Sequence, residues 1–190
     1  MIPLATTSSS FPSQTLIIIL AMNPPFPQTL STTALRSVFV EQLSILYNTK
    51  VNLTIRLPEL VTLATFRNLK LALTEGLEDN ERQMISLKTI FNLLDESWLT
   101  DKCLGVNALI NEAHSQIALH HDKHFESDMS ILFYMSVIEN LQIGASQMLN
   151  LISSKLPYRQ YAQLLRECKD MVKDNSELLF CVAGEYLNIN

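Results

Sequence analysis

The chain has 190 residues, of which 47% are apolar and 17% charged, with only 4 glycines. That is long enough to bury one real core and too poor in glycine for a turn-rich sheet protein, so the composition points to helices. A net charge of −5, with no cluster of Lys and Arg among aromatics, leaves no surface to neutralise phosphates and excludes nucleic acid from the expected partners.

Residues 1–35 carry no charged side chain and hold five of the seven prolines. The apolar run at 16–22, LIIILAM, is too short to cross a bilayer, which takes about 20 residues. No basic stretch precedes it, as one would in a signal peptide. Residues 1–30 are therefore expected to form a disordered, uncharged arm, with Met22 as a candidate start of the product. Folding is expected from 31 to 190, beginning at the good N-cap residues Ser31, Thr32 and Thr33. No membrane partner is expected.

The first helix is predicted over 33–57, with Leu35, Phe39, Leu46, Leu53 and Leu57 on one face and Gln42 and Thr49 in the same stripe. Pro58 should kink or end it. The second, over 66–94, runs Leu69, Leu73, Leu77, Met84, Leu87, Phe91, Leu94, a near-heptad seam that Asn80 interrupts. A connector with Trp98 leads to a shorter helix over 102–119, capped by Thr100 or Asp101. The longest amphipathic period follows at 127–154, with Ile131, Met135, Ile138, Ala145, Leu149 and Ile152 on one stripe. Gln142 shares that stripe and Glu139 stands beside it. After Leu156 and Pro157, a last helix to about 184 carries Tyr161, Leu164, Cys168, Met171, Val172, Leu178, Leu179 and Val182. Four long helices and a short one make an all-α, antiparallel four-helix bundle with one extra connector helix.

Each long helix places one neutral amide on its stripe: Gln42, Asn80, Gln142 and Asn175. An amide both donates and accepts, so four of them at one height would form a hydrogen-bonded polar layer; otherwise they are boundary residues facing solvent. The other polar concentration is His114, then His120, His121, Asp122, Lys123 and His124, then Glu126 and Asp128. On a helix, His120 and His124 could bind zinc with His121 or Asp122, but the plain reading is a solvated interhelical loop. Cys103, Cys168 and Cys181 are odd in number and lack CxxC spacing, so they read as thiols in a reducing, cytoplasmic compartment. No phosphate loop, nucleophile elbow or Cys/His nucleophile pair appears.

The segment LRSVFVEQLSILYNTKVNLTIRLPEL, residues 35–60, resembles the opening of the YciE/YciF family of bacterial proteins, whose members read L-R-D-L-F-x-x-E-L-x-D-L-Y-D-A-E-x-x-L before a Leu-Pro. Further matches follow in order: the helix at 73–91 where the family has His-Leu-Glu-Glu-Thr, Lys102-Cys103 before ALINEA, residues 137–143 where it has Val-Glu-His-Tyr-Glu-Ile, and the last helix. The resemblance covers about 35–187. It implies a ferritin-like bundle, a homodimer, and a link to stress responses.

The departures from that pattern fall on its acidic positions. Lys50 replaces the Glu of Asp-Ala-Glu, Gly76 replaces a His, and Gln142 replaces the second Glu of Val-Glu-His-Tyr-Glu. Lys169, Asp170, Met171 and Val172 stand in the acidic run of the last helix. Only Glu78, Asp79 and Glu139 survive as residual metal-ligand candidates, too few to offset two cations in a core. The expectation is a non-catalytic bundle protein with a degenerate metal site and no cofactor. Its competitor is a metal-carboxylate protein that binds iron or manganese and handles peroxide or oxidises iron, using Glu78, Asp79 and Glu139.

Overall fold

The computed structural model describes residues 31–120, 122–157 and 159–189. The expected arm at 1–30, with its candidate start at Met22, lies outside them. All regular structure among the described residues is helical: α1 (Thr32–Leu63), α2 (Arg67–Leu94), α3 (Leu104–Leu119), α4 (His124–Ser153) and α5 (Arg159–Tyr186). The pattern of five helices is as expected, but two boundaries move for physical reasons. α1 does not stop at Pro58. The proline ring sits on the solvent side, where water can take the freed carbonyl of Thr54 and the helix can curve, while Leu57 and Leu60 stay buried on the other side. α3 starts at Leu104 without a cap from Thr100 or Asp101. Its N-cap is Cys103, at a left-handed φ of 101°, whose buried Sγ lies 3.3 Å from Thr49 Oγ1.

The helices pack as two antiparallel hairpins. α1 lies on α2, α4 lies on α5, and the hairpins close against each other through α2–α5 and α1–α4. The ends fix the directions. Asp128 near the start of α4 meets the turn after α1, Phe66 before α2 stacks on Tyr186 at the end of α5 with centroids 4.3 Å apart, and Phe39 near the start of α1 stacks on Tyr161 at 5.9 Å. Every neighbouring pair of the four long helices is therefore antiparallel, with a single long crossover between α2 and α4.

That crossover is tied down rather than loose. Trp98 packs on Tyr47 at 4.8 Å, and Asn48 Nδ2 donates to the carbonyls of Leu99 and Lys102 at 2.7 and 3.1 Å. α3 then runs parallel to α1 across the α1–α4 groove, held by Asn52–Asn107, by His114–Glu59 at 2.8 Å, and by Tyr134 donating to Glu112.

The core falls into two apolar clusters, one at each end of the bundle. One gathers Leu53, Leu57, Leu69, Leu73, Ile131, Met135 and Leu179; the other gathers Phe39, Leu43, Leu87, Phe91, Leu149, Tyr161 and Leu165. What lies between them is polar.

The tightest junction in the fold is Asp128. Its carboxylate is fully buried and accepts three hydrogen bonds, from Thr65 N (2.8 Å), Thr65 Oγ1 (2.6 Å) and Phe66 N (2.8 Å). One carboxylate thus satisfies backbone donors at the start of α2 and pins the α1–α2 turn to α4. Asp128→Ala should cost about 3 kcal/mol in urea unfolding and speed amide exchange at the start of α2. Asp128→Asn, which keeps one acceptor oxygen, should cost about half as much.

Candidate functional site

Each long helix turns a heptad seam to the axis: Phe39, Leu43, Leu46, Lys50, Leu53, Leu57, Leu60 on α1 and Tyr161, Leu165, Cys168, Val172, Asn175, Leu179, Val182 on α5 are buried throughout. Polar residues break these seams at mid-height. α1 contributes Lys50, α2 Asp79, Asn80 and Gln83, α4 Glu139, Gln142 and Ser146, and α5 Asn175 and Ser176, all buried. The residues that seal the layer above and below are the two apolar clusters.

At its centre is Lys50, 2% exposed. Burial pushes its ammonium below the ordinary lysine value, while Glu139, Cys168 and Asp79 pull the other way. Burial likewise drives the Glu139 carboxyl up to about 7, against the field of Lys50 and with that of Asp79. Lys50 and Glu139 are thus opposite charges that each pay desolvation and partly relieve the other's. Asp79 has its own cation, Arg82, at 2.6 Å. The Cys168 thiol, buried beside Lys50, is pushed up to about 11 and is no nucleophile at neutral pH.

Amides complete the layer. Asn80 Nδ2 donates to the Lys50 carbonyl at 2.8 Å and to Thr54 Oγ1 at 2.7 Å, and Gln142 Nε2 donates to Glu139 Oε2 at 3.2 Å. Among the described residues, both polar atoms of Gln83, Gln142 Oε1, Asn80 Oδ1 and Ser146 Oγ are buried without a hydrogen-bond partner.

Three of the four expected amides, Asn80, Gln142 and Asn175, lie in this layer. Gln42 does not: it is exposed, because the seam passes through Leu43 and Lys50, while Thr49 on the Gln42 flank is buried away from the axis against Cys103. Gln83 and Ser146 were not anticipated, although Gln83 falls on the seam when α2 is counted in steps of three and four from Asn80. Glu139 and Gln142 project inward. Of the residual ligand candidates, Asp79 and Glu139 reach the layer, whereas Glu78 is exposed, one residue and about 100° away from Asp79 around the helix. Val172 fills the α5 side with hydrocarbon, while Asp170 points outward.

This donor set does not fit a dinuclear metal centre. Two inward carboxylates, one already paired to Arg82, face a buried ammonium, and cations need anionic oxygens there instead. Among the described residues no three His, Cys, Asp or Glu side chains converge as a metal ion would require. The histidine group is likewise dispersed. His120 caps the end of α3, His124 opens α4, and His114 is bound to Glu59, so His120 and His124 do not share a helix face; His121 lies outside the described residues.

The Lys50–Glu139 couple makes stability depend on pH in two opposite ways. Glu139 titrates near 7 in the native protein against an ordinary 4.5, so its contribution is full below pH 4.5 and is lost as pH rises through 7. Lys50 titrates below its ordinary 10.5, so its contribution is full above pH 10.5 and is lost as pH falls through its native value. Lys50→Met strips Glu139 of its cation and should steepen the loss of stability between about pH 5 and 8. The double variant Lys50→Met/Glu139→Gln should be flat over that range and at least as stable as the parent, by about 1–4 kcal/mol in urea unfolding at about pH 8.

The comparisons agree with this architecture. The chain superposes on the E. coli stress protein YciF with a TM-score of 0.76, at 23% identity, over 82% of this chain and 98% of that one. It superposes on YcfI, a candidate structural protein from Rhodopseudomonas palustris, with a TM-score of 0.73, at 21% identity, over 84% and 98%. No curated protein matches it in sequence. Residues 34–188 match the family described as a domain of unknown function, DUF892. Five helices in this order, the two superpositions and a match across nearly the whole described bundle lead to one conclusion: the chain belongs to the DUF892 family of YciF-like helical proteins.

Proposed function

We propose that this protein is a non-catalytic helical bundle in which a lysine-centred polar layer stands where metal-binding relatives of the fold would hold ions, and that it serves a structural or interaction role in the stress response. The observation that carries this reading is the buried Lys50. A lysine amine built into the axis beside Glu139 and Asp79 takes up the space between the carboxylates and, when protonated, supplies positive charge there and repels a metal ion. The stress context is supported by the E. coli protein of similar fold, which is named for it, and the structural role by the Rhodopseudomonas neighbour. Water, which both donates and accepts, suits the unpaired atoms of Gln83, Gln142, Asn80 and Ser146 and would complete the layer. No helix among the described residues is long and apolar enough to cross a membrane. A cytoplasmic setting is supported by three free cysteines, two of them buried.

Expression with iron or manganese in the medium tests this reading. The purified protein should carry well under one equivalent of metal and show no ferroxidase activity. Stoichiometric dinuclear iron would overturn the proposal. Reinstating carboxylates by Lys50→Glu with Val172→Glu should raise the metal content, since both side chains face the layer.

A further inference from the structure

α3 crosses the groove between α1 and α4 without filling it. Leu53 and Leu60 of α1, Ile110 and Ile117 of α3, and Ile131 and Met135 of α4 wall a slot with about 370 Å³ of empty space, its open mouth included. That space is spread so thinly that the closed bundle has room there for little more than one water. The wall is almost wholly hydrocarbon, so a water inside would find none of the polar partners it needs. The mouth has the opposite character. Past Arg56 and Ile110, which line both spaces, lies a recess formed by Asn52, Asn107 and Asn111, with no carboxylate among its described residues. The ion pair of Arg56 with Glu59 is long, at 3.6 Å, and Glu59 gives its other oxygen to His114 at 2.8 Å. A guanidinium with five N–H donors is thus open to a further carboxylate at the edge of a dry apolar slot.

We propose that this slot binds a fatty-acid-like monocarboxylate, with its chain between α1, α3 and α4 and its carboxylate held at the mouth by Arg56 and the neighbouring asparagine amides. The inference does not rest on the polar layer or on the role read from it. Three observations select this chemistry. First, the recess offers a cation and amide donors without a competing acid, which suits an anionic head that accepts several hydrogen bonds. Second, the slot is apolar and narrow, which suits an unbranched chain and disfavours a bulky ring, since a ring would have to push three helices apart. Third, Arg56 and Ile110 line both spaces, so head and chain belong to one amphipathic molecule. Entry needs α3 to move outward. The side-chain pairs that tie α3 to α1, Asn52–Asn107 and Glu59–His114, lie at the rim and are partly or wholly open to solvent, so water can replace them at little cost. Ile110 and Ile117 then close on the chain of the ligand instead of on the empty slot, and the four long helices keep their places.

Titration of the full chain with octanoate, followed by calorimetry and methyl NMR, tests the proposal. Octanoate should bind with a Kd below about 1 mM and shift the methyl signals of Ile110, Ile117 and Met135. Acetate, which has the head without the chain, should leave those signals in place, and 1-octanol, which has the chain without the charge, should bind roughly tenfold more weakly than octanoate. Arg56→Gln should weaken octanoate binding by roughly tenfold and leave that of 1-octanol unchanged. Ala113→Leu, which adds hydrocarbon to the wall of the slot, should weaken both while the helical circular dichroism is retained. Unshifted Ile110, Ile117 and Met135 methyls at millimolar octanoate overturn the proposal, as does parental octanoate affinity in Arg56→Gln. So do shifts confined to Leu141 and Met148, which are exposed on the outward side of α4 and would report adsorption to the surface.

Discussion

A lysine amine sealed in the middle of a hydrocarbon core is the constraint on which the rest of this bundle turns. An isolated ammonium there is far too costly, so Glu139 from α4 and Asp79 from α2 offset the burial of the Lys50 amine, while Asn80 donates to the Lys50 carbonyl and Gln142 to the Glu139 carboxylate. The apolar clusters above and below seal the layer from water. Without the polar layer, the two clusters would be one continuous seam along which helices can slide. With it, α1, α2 and α4 have one register in which Lys50 meets its partners, so the layer trades stability for specificity.

Register at mid-height also needs the helix ends to be fixed, and that is the service of the crossover. Asp128 fastens the start of α4 to the turn after α1, while Trp98 and Asn48 fasten the connector to the side of α1. These contacts join segments far apart in sequence, so the antiparallel order of α1 and α4 does not rest on core packing alone. It is the order that brings Lys50 level with Glu139.

The same helix that carries Glu139 inward carries an uncharged stripe outward, from Phe133 to Leu151. α4 is apolar on both sides, and the bundle buries one of them. The bundle interior and the outer stripe can change separately, because Gln142 and Gly144 lie on nearly opposite sides of the helix.

Much of this was legible in the residues themselves. Helix number, length and order follow from apolar spacing of three and four, from Pro157 at the α4–α5 turn, and from the scarcity of glycine, because these act locally. The inward position of Gln142 and Glu139 was legible for the same reason. Local pattern could not decide which flank of the Phe39–Leu46–Leu53 line meets the axis. Gln42 and Thr49 lie on one flank and Leu43 and Lys50 on the other. Hydrophobicity argues against burying a lysine, and only carboxylates brought from α2 and α4 make that flank the inward one. Nor could it show that Pro58 would be absorbed on a solvent face, that Glu78 and Asp79 would part company around the helix, or that Asp128 would cap a helix more than sixty residues upstream. The sequence by itself determined the elements and their apolar faces, since those depend on neighbours a turn away. The tertiary structure decided which polar groups are sealed together, since the energy of a buried charge depends on partners that the chain brings from other helices.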